Sequence, residues 1–176
     1  MLYIRHSHKS YTNGSVSDFS LDPGLTEQGR KIAYSRFLEM IRIHGIPSRI
    51  ISSPYLRARE TSQIACDVLS QLFNISLDII YDPNIGEYLG HHLTKDINIC
   101  LRPDTLAHNP IPPEPWKFYI NRVRRHVNTS LKYSGLTWYI THGIIIKSVA
   151  FFHGYTIDYP KELSGIRIDG SIVSTI

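Results

Sequence analysis

Hydrophobic positions along the chain fall into short continuous runs, separated by longer segments in which they recur every three or four residues. The short runs are rich in β-branched and aromatic residues and predict buried strands at 2–5, 49–52, 77–81 and 136–141. The periodic segments predict helices at 27–44, 56–72, 116–131 and 144–152. A hairpin that turns at Asp169-Gly170 is predicted over 165–175. Strands that alternate with helices indicate an α/β fold with a mostly parallel sheet.

Local signals refine this pattern at a helix start, in two loops and along one helix face. Thr26 is a residue type that caps helix N-termini. The polar segment 7–24 is too long for a minimal connection and is predicted to be a site loop, as is 85–92. The helix over 116–131 is expected to place its arginines at 122–125 on a solvated face. Its apolar face is predicted to consist of Phe118, Tyr119, Val123, Val127 and Leu131.

Size and composition fit one globular domain over residues 1–176, since 42% of the residues are hydrophobic and 19% are charged. The formal net charge is only +4, which many enzymes share. The basic residues nevertheless cluster at 5–9, 57–59 and 122–125. Because clustered charge attracts anions more effectively than the same charge dispersed, we expect an anionic substrate.

The compartment follows from the chain start, the cysteines and the least polar stretch. Met1 leads directly into the first predicted strand and leaves no room for a signal peptide. Cys66 and Cys100 lie in different settings and are interpreted as reduced thiols. The stretch 136–155 is interrupted by two histidines and Lys147, which argues against a membrane span. We therefore expect a cytoplasmic protein without membrane association.

The candidate chemistry centres on two histidines, His6 and His142, that directly follow predicted strands. The crevice beyond the carboxyl ends of parallel strands is where ligands bind in α/β sheets. Arg5 precedes the first histidine, and Arg57 begins a predicted helix. Forked guanidinium donors and helix N-termini both suit phosphate oxygens. A neutral imidazole can attack phosphorus, and Glu87 is the best candidate for the acid that protonates the departing alkoxide.

These residues lie in motifs whose order resembles that of the histidine phosphatase superfamily, also called phosphoglycerate mutase-like. Any one motif is weak evidence, but four in the correct order are strong. The resemblance spans nearly the whole chain and implies a three-layer α/β sandwich with a mostly parallel central sheet. The motifs are Ile4-Arg5-His6-Ser7, Asp22-Pro23-Gly24-Leu25-Thr26-Glu27-Gln28-Gly29, Ser53-Pro54-Tyr55-Leu56-Arg57-Ala58-Arg59-Glu60-Thr61 and Thr141-His142-Gly143, with Glu87 between the last two.

The resemblance implies a role for each of these side chains. His6 is the nucleophile that becomes phosphorylated, and Glu87 is the proton donor. Arg5, Arg57 and His142 form the phosphate pocket, with His142 also counted among the catalytic residues. The superfamily works without a metal ion or an organic cofactor, so none is expected here.

Two departures from the usual pattern bear on the substrate. Ser7 stands where glycine is usual, and His8 stands where Glu or Gln is common. Ser7 is expected to add a side chain near the phosphate, and His8 a possible second cation. Further substrate contacts are expected from Lys9, Arg59 and Gly143, because they adjoin the site motifs.

Other phosphoryl and metal chemistries are less consistent with the residues. His91-His92 are adjacent in an extended loop and point apart, and no zinc-binding helix or paired-cysteine spacing is present. A cysteine phosphatase needs arginine six residues after its cysteine, but leucine stands there after both Cys66 and Cys100. Glycines at 24 and 29 have P-loop spacing, yet Arg30-Lys31 follows where lysine and a hydroxyl are required.

The sequence thus predicts a metal-independent phosphatase that hydrolyses phosphomonoesters through a phosphohistidine on His6. A phosphatase is preferred to a mutase because the segment between Glu87 and Trp116 offers little material for an enclosing lid. The substrate is expected to be a small molecule, a phosphoprotein or a nucleic-acid 5′ end. One alternative is a phosphohydrolase dedicated to nucleotide or RNA 5′-phosphates, and another is a catalytically weak phosphate-binding module. Oligomeric state does not follow from the sequence.

Overall fold

The computed structural model describes residues 1–10, 22–87 and 115–176. In these residues six strands form one sheet in the order β3-β2-β4-β1-β5-β6. The elements in chain order are β1 (Leu2–Arg5), α1 (Glu27–His44), β2 (Arg49–Ser52), α2 (Leu56–Phe73), β3 (Ile79–Tyr81), a 3₁₀ turn (Pro83–Ile85), α3 (Trp116–Ser130), β4 (Thr137–Thr141), α4 (Gly143–Phe152), β5 (Gly165–Asp169) and β6 (Ile172–Thr175).

The register of the parallel strands places the carboxyl ends of β1, β2 and β4 at one edge of the sheet. Arg5, the last residue of β1, pairs with Thr141, the last residue of β4. Ser52 at the end of β2 pairs with Ile140 one position earlier. The residues that follow β1, β2 and β4 therefore emerge side by side. The antiparallel neighbour β5 runs the other way and continues into the hairpin with β6.

Alternation along the central strands divides the core into two layers. Leu2 and Ile4 of β1 pack with Phe37 of α1 and with α2 on one face of the sheet. Tyr3, between them, packs on the other face with Tyr119 of α3 and with α4. All five side chains are fully buried, and burying such a side chain stabilises the fold by about 1.5–3 kcal/mol. The predicted three-layer sandwich with a mostly parallel sheet is confirmed.

Most predicted elements are confirmed, including the Thr26 cap, whose hydroxyl accepts a hydrogen bond from the Gly29 amide at 2.9 Å. The third strand is shorter than predicted and begins at Ile79, because Leu77 packs against the core from an irregular segment. The hairpin turns as expected, with Gly170 at φ +60°, a left-handed conformation that favours glycine.

The face assignment in α3 was wrong in part. Phe118 and Leu131 are each 58% exposed, whereas His126 is buried and Arg122 is half-buried against the segment after β3. The arginines therefore do not share one solvated face.

Several predictions lie outside the described residues: most of the 7–24 loop, the end of the 85–92 loop, the His91-His92 pair and Cys100. Cys66 is buried in α2. Within the described ranges, no helix is both long enough and apolar enough to cross a membrane.

Candidate active site

The site begins where β1, β2 and β4 end. His6, Ser53 and His142 each follow directly on one of these strands. Backbone hydrogen bonds continue the sheet one step further, with the His6 amide donating to the Thr141 carbonyl at 2.9 Å and the Ser53 amide to Ile140 at 2.9 Å. The two imidazole rings face each other with centroids 5.3 Å apart. The predicted pairing of His6 and His142 across one crevice is therefore present.

The contacts of His6 define which ring nitrogen carries the proton. Its Nδ1 lies 2.7 Å from the carbonyl oxygen of Ser7, which can only accept, so Nδ1 is the donor. Nε2 then holds a lone pair, and it accepts from Nε of Arg57 at 3.3 Å. Burial lowers the pKa of His6 well below its usual value, and the positive charge of Arg57 acts in the same direction. The ring is therefore neutral, with Nε2 available as a nucleophile.

Arg57 lies at the centre of the site, in the first turn of α2. Its guanidinium contacts His6, and it also lies 3.3 Å from Asp22 Oδ1, from Glu87 Oε2 and from His142 Nδ1. The Tyr55 ring supports the group from one side, 4.8 Å from the guanidinium carbon. Arg57 is only 4% exposed, so its forked donors are fixed in a poorly solvated pocket.

His142 is held from both sides. Its Nε2 lies 2.8 Å from the Ser53 hydroxyl, whose oxygen also accepts from the Tyr55 amide at 3.3 Å. Its Nδ1 lies 3.1 Å from the Glu87 carboxylate, which requires the proton on Nδ1. Burial lowers the pKa of His142 to about 4, although Glu87 opposes this shift. His142 is therefore a neutral donor aimed into the site.

Glu87 closes the site from the segment after β3. Burial alone would raise the pKa of its carboxyl group, but the contacts with His142 and Arg57 outweigh burial and hold the pKa below its usual range. Glu87 is therefore ionised in this substrate-free site. Its predicted place beside the histidine pair is matched by the structure.

These groups have the composition of a metal site, since ligand atoms of His6, Glu87 and His142 lie within 4.8 Å of one another. The Arg57 guanidinium occupies the same space and contacts all three side chains. Its fixed positive charge opposes a cation there and favours an anion. A tetrahedral phosphoryl group suits this combination of donors better than a metal ion.

A family profile described as "Histidine phosphatase superfamily (branch 1)" matches residues 1–152 of the 176-residue chain. The chain belongs to the histidine phosphatase superfamily. This membership supports a hydrolase that releases phosphate, and it confirms the family to which the motifs pointed. A comparison with curated protein sequences gives no match.

Solved structures of two phosphatases and of a hydrolase share the fold of this superfamily member. A mycobacterial glucosyl-3-phosphoglycerate phosphatase is 19% identical, with a TM-score of 0.61 over 94% of this chain and 87% of its own. The protein histidine phosphatase SixA, complexed with tungstate, is 13% identical, with a TM-score of 0.61 over 99% of this chain and 92% of its own. A protein described as mycobacterial hydrolase 1 is 18% identical, with a TM-score of 0.66 over 94% and 89% of the two chains. At these identities the likeness concerns the fold.

Arg5, predicted to bind phosphate, is turned toward the segment before β5. It donates to the Pro160 carbonyl at 2.9 Å, pairs with Glu162 at 3.1 Å and lies over the Tyr159 ring. Its Nε is buried without a hydrogen-bond partner in the described part of the chain. Within that part, Arg57 rather than Arg5 provides the guanidinium contacts to the two histidines.

Ser7 and His8 were both expected to add a group near the phosphate, and the structure does not place both side chains there. Ser7 is fully buried, and its hydroxyl donates to the Gly29 carbonyl at 2.7 Å, so it ties β1 to α1 instead of adding a group beside the phosphate. The reason is the close approach of α1, where the His8 carbonyl accepts from the Thr26 amide at 3.0 Å. The His8 side chain is exposed.

Lys9, Arg59 and Gly143 lie around the site. Burial lowers the pKa of Lys9. The charge of Arg57 lowers it further and the charge of Glu87 raises it, so Lys9 interacts electrostatically with both groups. Arg59 lies over the Tyr81 ring at 5.4 Å. Gly143 begins α4, and a Cβ there would lie 2.4 Å from a carbon of the Tyr159 ring, so this position requires glycine while the ring stays in place.

Two supporting residues, Asp22 and Thr61, were not singled out from the sequence, and a third, Arg122, was assigned to a solvated face. Asp22 Oδ2 accepts from the Leu56 amide at 2.7 Å and so caps α2. Its other oxygen, Oδ1, contacts Arg57 and orients the guanidinium. Thr61 accepts from the Ser7 amide at 3.1 Å and thereby fixes the loop after His6. Arg122 contacts the segment of Glu87. Asp22 and Thr61 both lie in the motifs named above, so their positions in the sequence could have indicated a role in the site.

Proposed function

We propose that this protein is a metal-independent phosphomonoesterase that works through a phosphohistidine on His6. The observation that carries the proposal is the state of the His6 ring. Its Nδ1 proton is held by the Ser7 carbonyl, and its Nε2 lone pair faces Arg57 at 3.3 Å. An anion bound by Arg57 would thus meet an unprotonated nucleophile.

In the first step His6 Nε2 attacks phosphorus, the new N–P bond forms, and the bond from phosphorus to the ester oxygen breaks. The electron pair of that bond stays on the leaving oxygen, which takes a proton from Glu87. Because this carboxyl is ionised in the substrate-free site, it first takes up a proton when the phosphate ester binds. Arg57 and the Nδ1–H of His142 stabilise the charge on the equatorial oxygens.

In the second step water attacks the phosphohistidine, and Glu87, now ionised, accepts a proton from the water. The N–P bond breaks, and inorganic phosphate leaves while His6 regains its lone pair. The same carboxyl thus serves first as acid and then as base, as microscopic reversibility requires. No residue besides His6 forms a bond to phosphorus.

The test of this proposal is the covalent intermediate. The wild-type protein is incubated with a ³²P-labelled aryl phosphate and quenched, and phosphate release is followed in parallel. We expect a label that is stable in base and lost in acid, as is typical of phosphohistidine. His6→Asn should show neither label nor release, whereas the control His44→Gln, at the end of α1, should show both.

Absence of turnover by the wild type, together with retained binding of inorganic phosphate, would make the protein a phosphate-binding module. Equal turnover by His6→Asn would refute the nucleophile. A panel of phosphorylated metabolites, phosphopeptides and 5′-phosphorylated oligonucleotides then addresses the substrate. A steep salt dependence restricted to the oligonucleotides would favour the nucleic-acid alternative.

A further inference from the structure

Glu87 lies in a short segment that no regular hydrogen-bond ladder holds. After β3 the chain makes the 3₁₀ turn Pro83–Ile85 and reaches Glu87 two residues later. Arg122 of α3 holds this segment by its backbone: Nη1 donates to the carbonyls of Asn84 at 2.7 Å and Gly86 at 3.0 Å. Its Nη2 donates to the carbonyl of Glu87 itself at 3.2 Å. One guanidinium therefore satisfies three carbonyls that the turn leaves outside the sheet.

The beginning of the segment has a separate anchor one helical turn further along α3. His126 Nδ1 lies 2.8 Å from Asp82 Oδ2, and the other oxygen of Asp82 accepts from the Asn84 amide at 2.8 Å. Thr141 holds the middle, since its hydroxyl donates to the Ile85 carbonyl at 2.6 Å. With the start and middle fixed in other ways, Arg122 provides, among the residues that the structure describes, the backbone contacts at the end that carries Glu87.

We propose that Arg122 is a positioning residue for the reaction, which holds the Glu87 backbone where its carboxyl group reaches the leaving-group oxygen. This inference rests on the proposed function. The Glu87 carboxylate is placed against His142 Nδ1 at 3.1 Å and Arg57 Nη2 at 3.3 Å. A misplacement of about 1 Å in such a site costs about 100-fold in rate.

Burial and contacts distinguish Arg122 from the other arginines of α3. Arg124 and Arg125 are exposed, whereas Arg122 is half-buried and lies 5.1 Å from the Tyr119 ring centre. A guanidinium carries donors in a fixed fork and can serve three carbonyls at once. Lysine has a single nitrogen and cannot reproduce that fork. We therefore expect Arg122→Lys to rescue the function of Arg122→Gln only in part.

The experiment compares two substrates that differ in their need for an acid. An alkyl phosphate requires protonation of its leaving oxygen, whereas 4-nitrophenyl phosphate has a stable leaving anion. Arg122→Gln should lower kcat/KM for the alkyl phosphate by about 100-fold and for the aryl phosphate by less than about 5-fold. Inhibition by inorganic vanadate should change much less than kcat/KM for the alkyl phosphate, because vanadate binding depends on Arg57 and His142 and needs no proton donor. Arg125→Gln, the matched control on the same helix, should resemble the wild type with both substrates.

A double-mutant cycle tests whether Arg122 acts through Glu87. Glu87→Gln alone should show the same leaving-group dependence, and adding Arg122→Gln to it should cost less than about 2-fold more. Equal losses with both substrates, additive losses in the cycle, or failure of both Arg122 variants to fold would overturn the positioning role. Failure of the proposed function is distinct from these results, since the wild type itself would then form no phosphohistidine.

Discussion

Replacing Arg57 by methionine removes one buried positive charge from between two carboxylates. Methionine keeps the length and apolar body of the side chain but none of its donors. The variant leaves Asp22 Oδ1 and Glu87 Oε2 without the guanidinium that lies 3.3 Å from each. It also removes the hydrogen bond to His6 Nε2. We expect loss of both stability and phosphate binding.

The size of the stability loss follows from burial. Breaking a buried ion pair by removing one partner costs about 3–5 kcal/mol, because the other charge stays buried and uncompensated. The side chains of Asp22 and Glu87 are 14% and 20% exposed, so solvent screens them in part. We therefore expect the lower end, about 3 kcal/mol at pH 7.

The loss should also depend on pH. In the wild type the pKa of Glu87 is depressed, against the effect of its burial, by His142 and Arg57. A depressed carboxyl pKa stabilises the fold above the unfolded value of about 4.3, and this contribution is lost as pH falls toward the folded value. Without Arg57, burial moves the pKa of Glu87 upward. The difference between wild type and variant should therefore be full at pH 7 and shrink as pH falls through about 4.3.

Urea unfolding followed by Trp fluorescence and circular dichroism measures this difference at several pH values. The matched control is Arg42→Met, which removes the same group from an exposed position in the last turn of α1 and should change stability by less than about 0.5 kcal/mol. Equal stability of the two variants at pH 7, or a difference that does not change with pH, would refute the reasoning.

Three further predictions concern His6, Asp82 and Gly165. Imidazole ¹⁵N NMR should find the His6 proton on Nδ1 and no titration near pH 6.5, since burial lowers its pKa; a midpoint at or above 6.5 contradicts this. Burial raises the pKa of Asp82, but hydrogen bonds from His126 and Asn84 outweigh burial and lower it, so Asp82→Asn should cost about 1–2 kcal/mol at pH 7, and urea unfolding should show this cost decline as pH falls below about 3.9 toward the lowered pKa. A Cβ at Gly165 would lie 1.8 Å from the Tyr3 carbonyl oxygen, so Gly165→Ala should lower stability by about 3 kcal/mol, and a variant with wild-type Tm would contradict that clash.

The fold was predictable because its central strands carry continuous apolar runs. A strand buried on both faces has no polar alternation, and Trp138, Tyr139 and Ile140 of β4 are all fully buried. Strand order depends on pairings such as that of β1 with β4, more than 130 positions away in sequence, which no local pattern encodes. A mostly parallel sheet was therefore predictable, but its strand order was not.

The site residues were predictable where the proposed chemistry requires a particular residue type. They were less predictable where a residue only holds others in place. His6, Arg57 and His142 lie in motifs, and the structure brings them together. Arg122 was misjudged because an arginine beside other arginines is typical of a solvated face. Its spacing of four residues from the buried His126 does place both on one face of α3, but its partners are carbonyls 35 to 38 positions earlier.

The ionised state of Glu87 and its proposed role as an acid become compatible once the charges are followed through binding. In the substrate-free site Arg57 contacts Asp22 and Glu87, and burial, which would raise the pKa of Glu87, is outweighed by its contacts with His142 and Arg57. A phosphoryl group that enters beside Arg57 competes with Asp22 and Glu87 for its guanidinium, because both carboxylates already contact the terminal nitrogens. Glu87 then keeps its burial and gains a neighbouring anion, and both raise its pKa. The carboxyl thus acquires a proton only when a phosphate ester is present to receive it, and release of inorganic phosphate restores the resting pair.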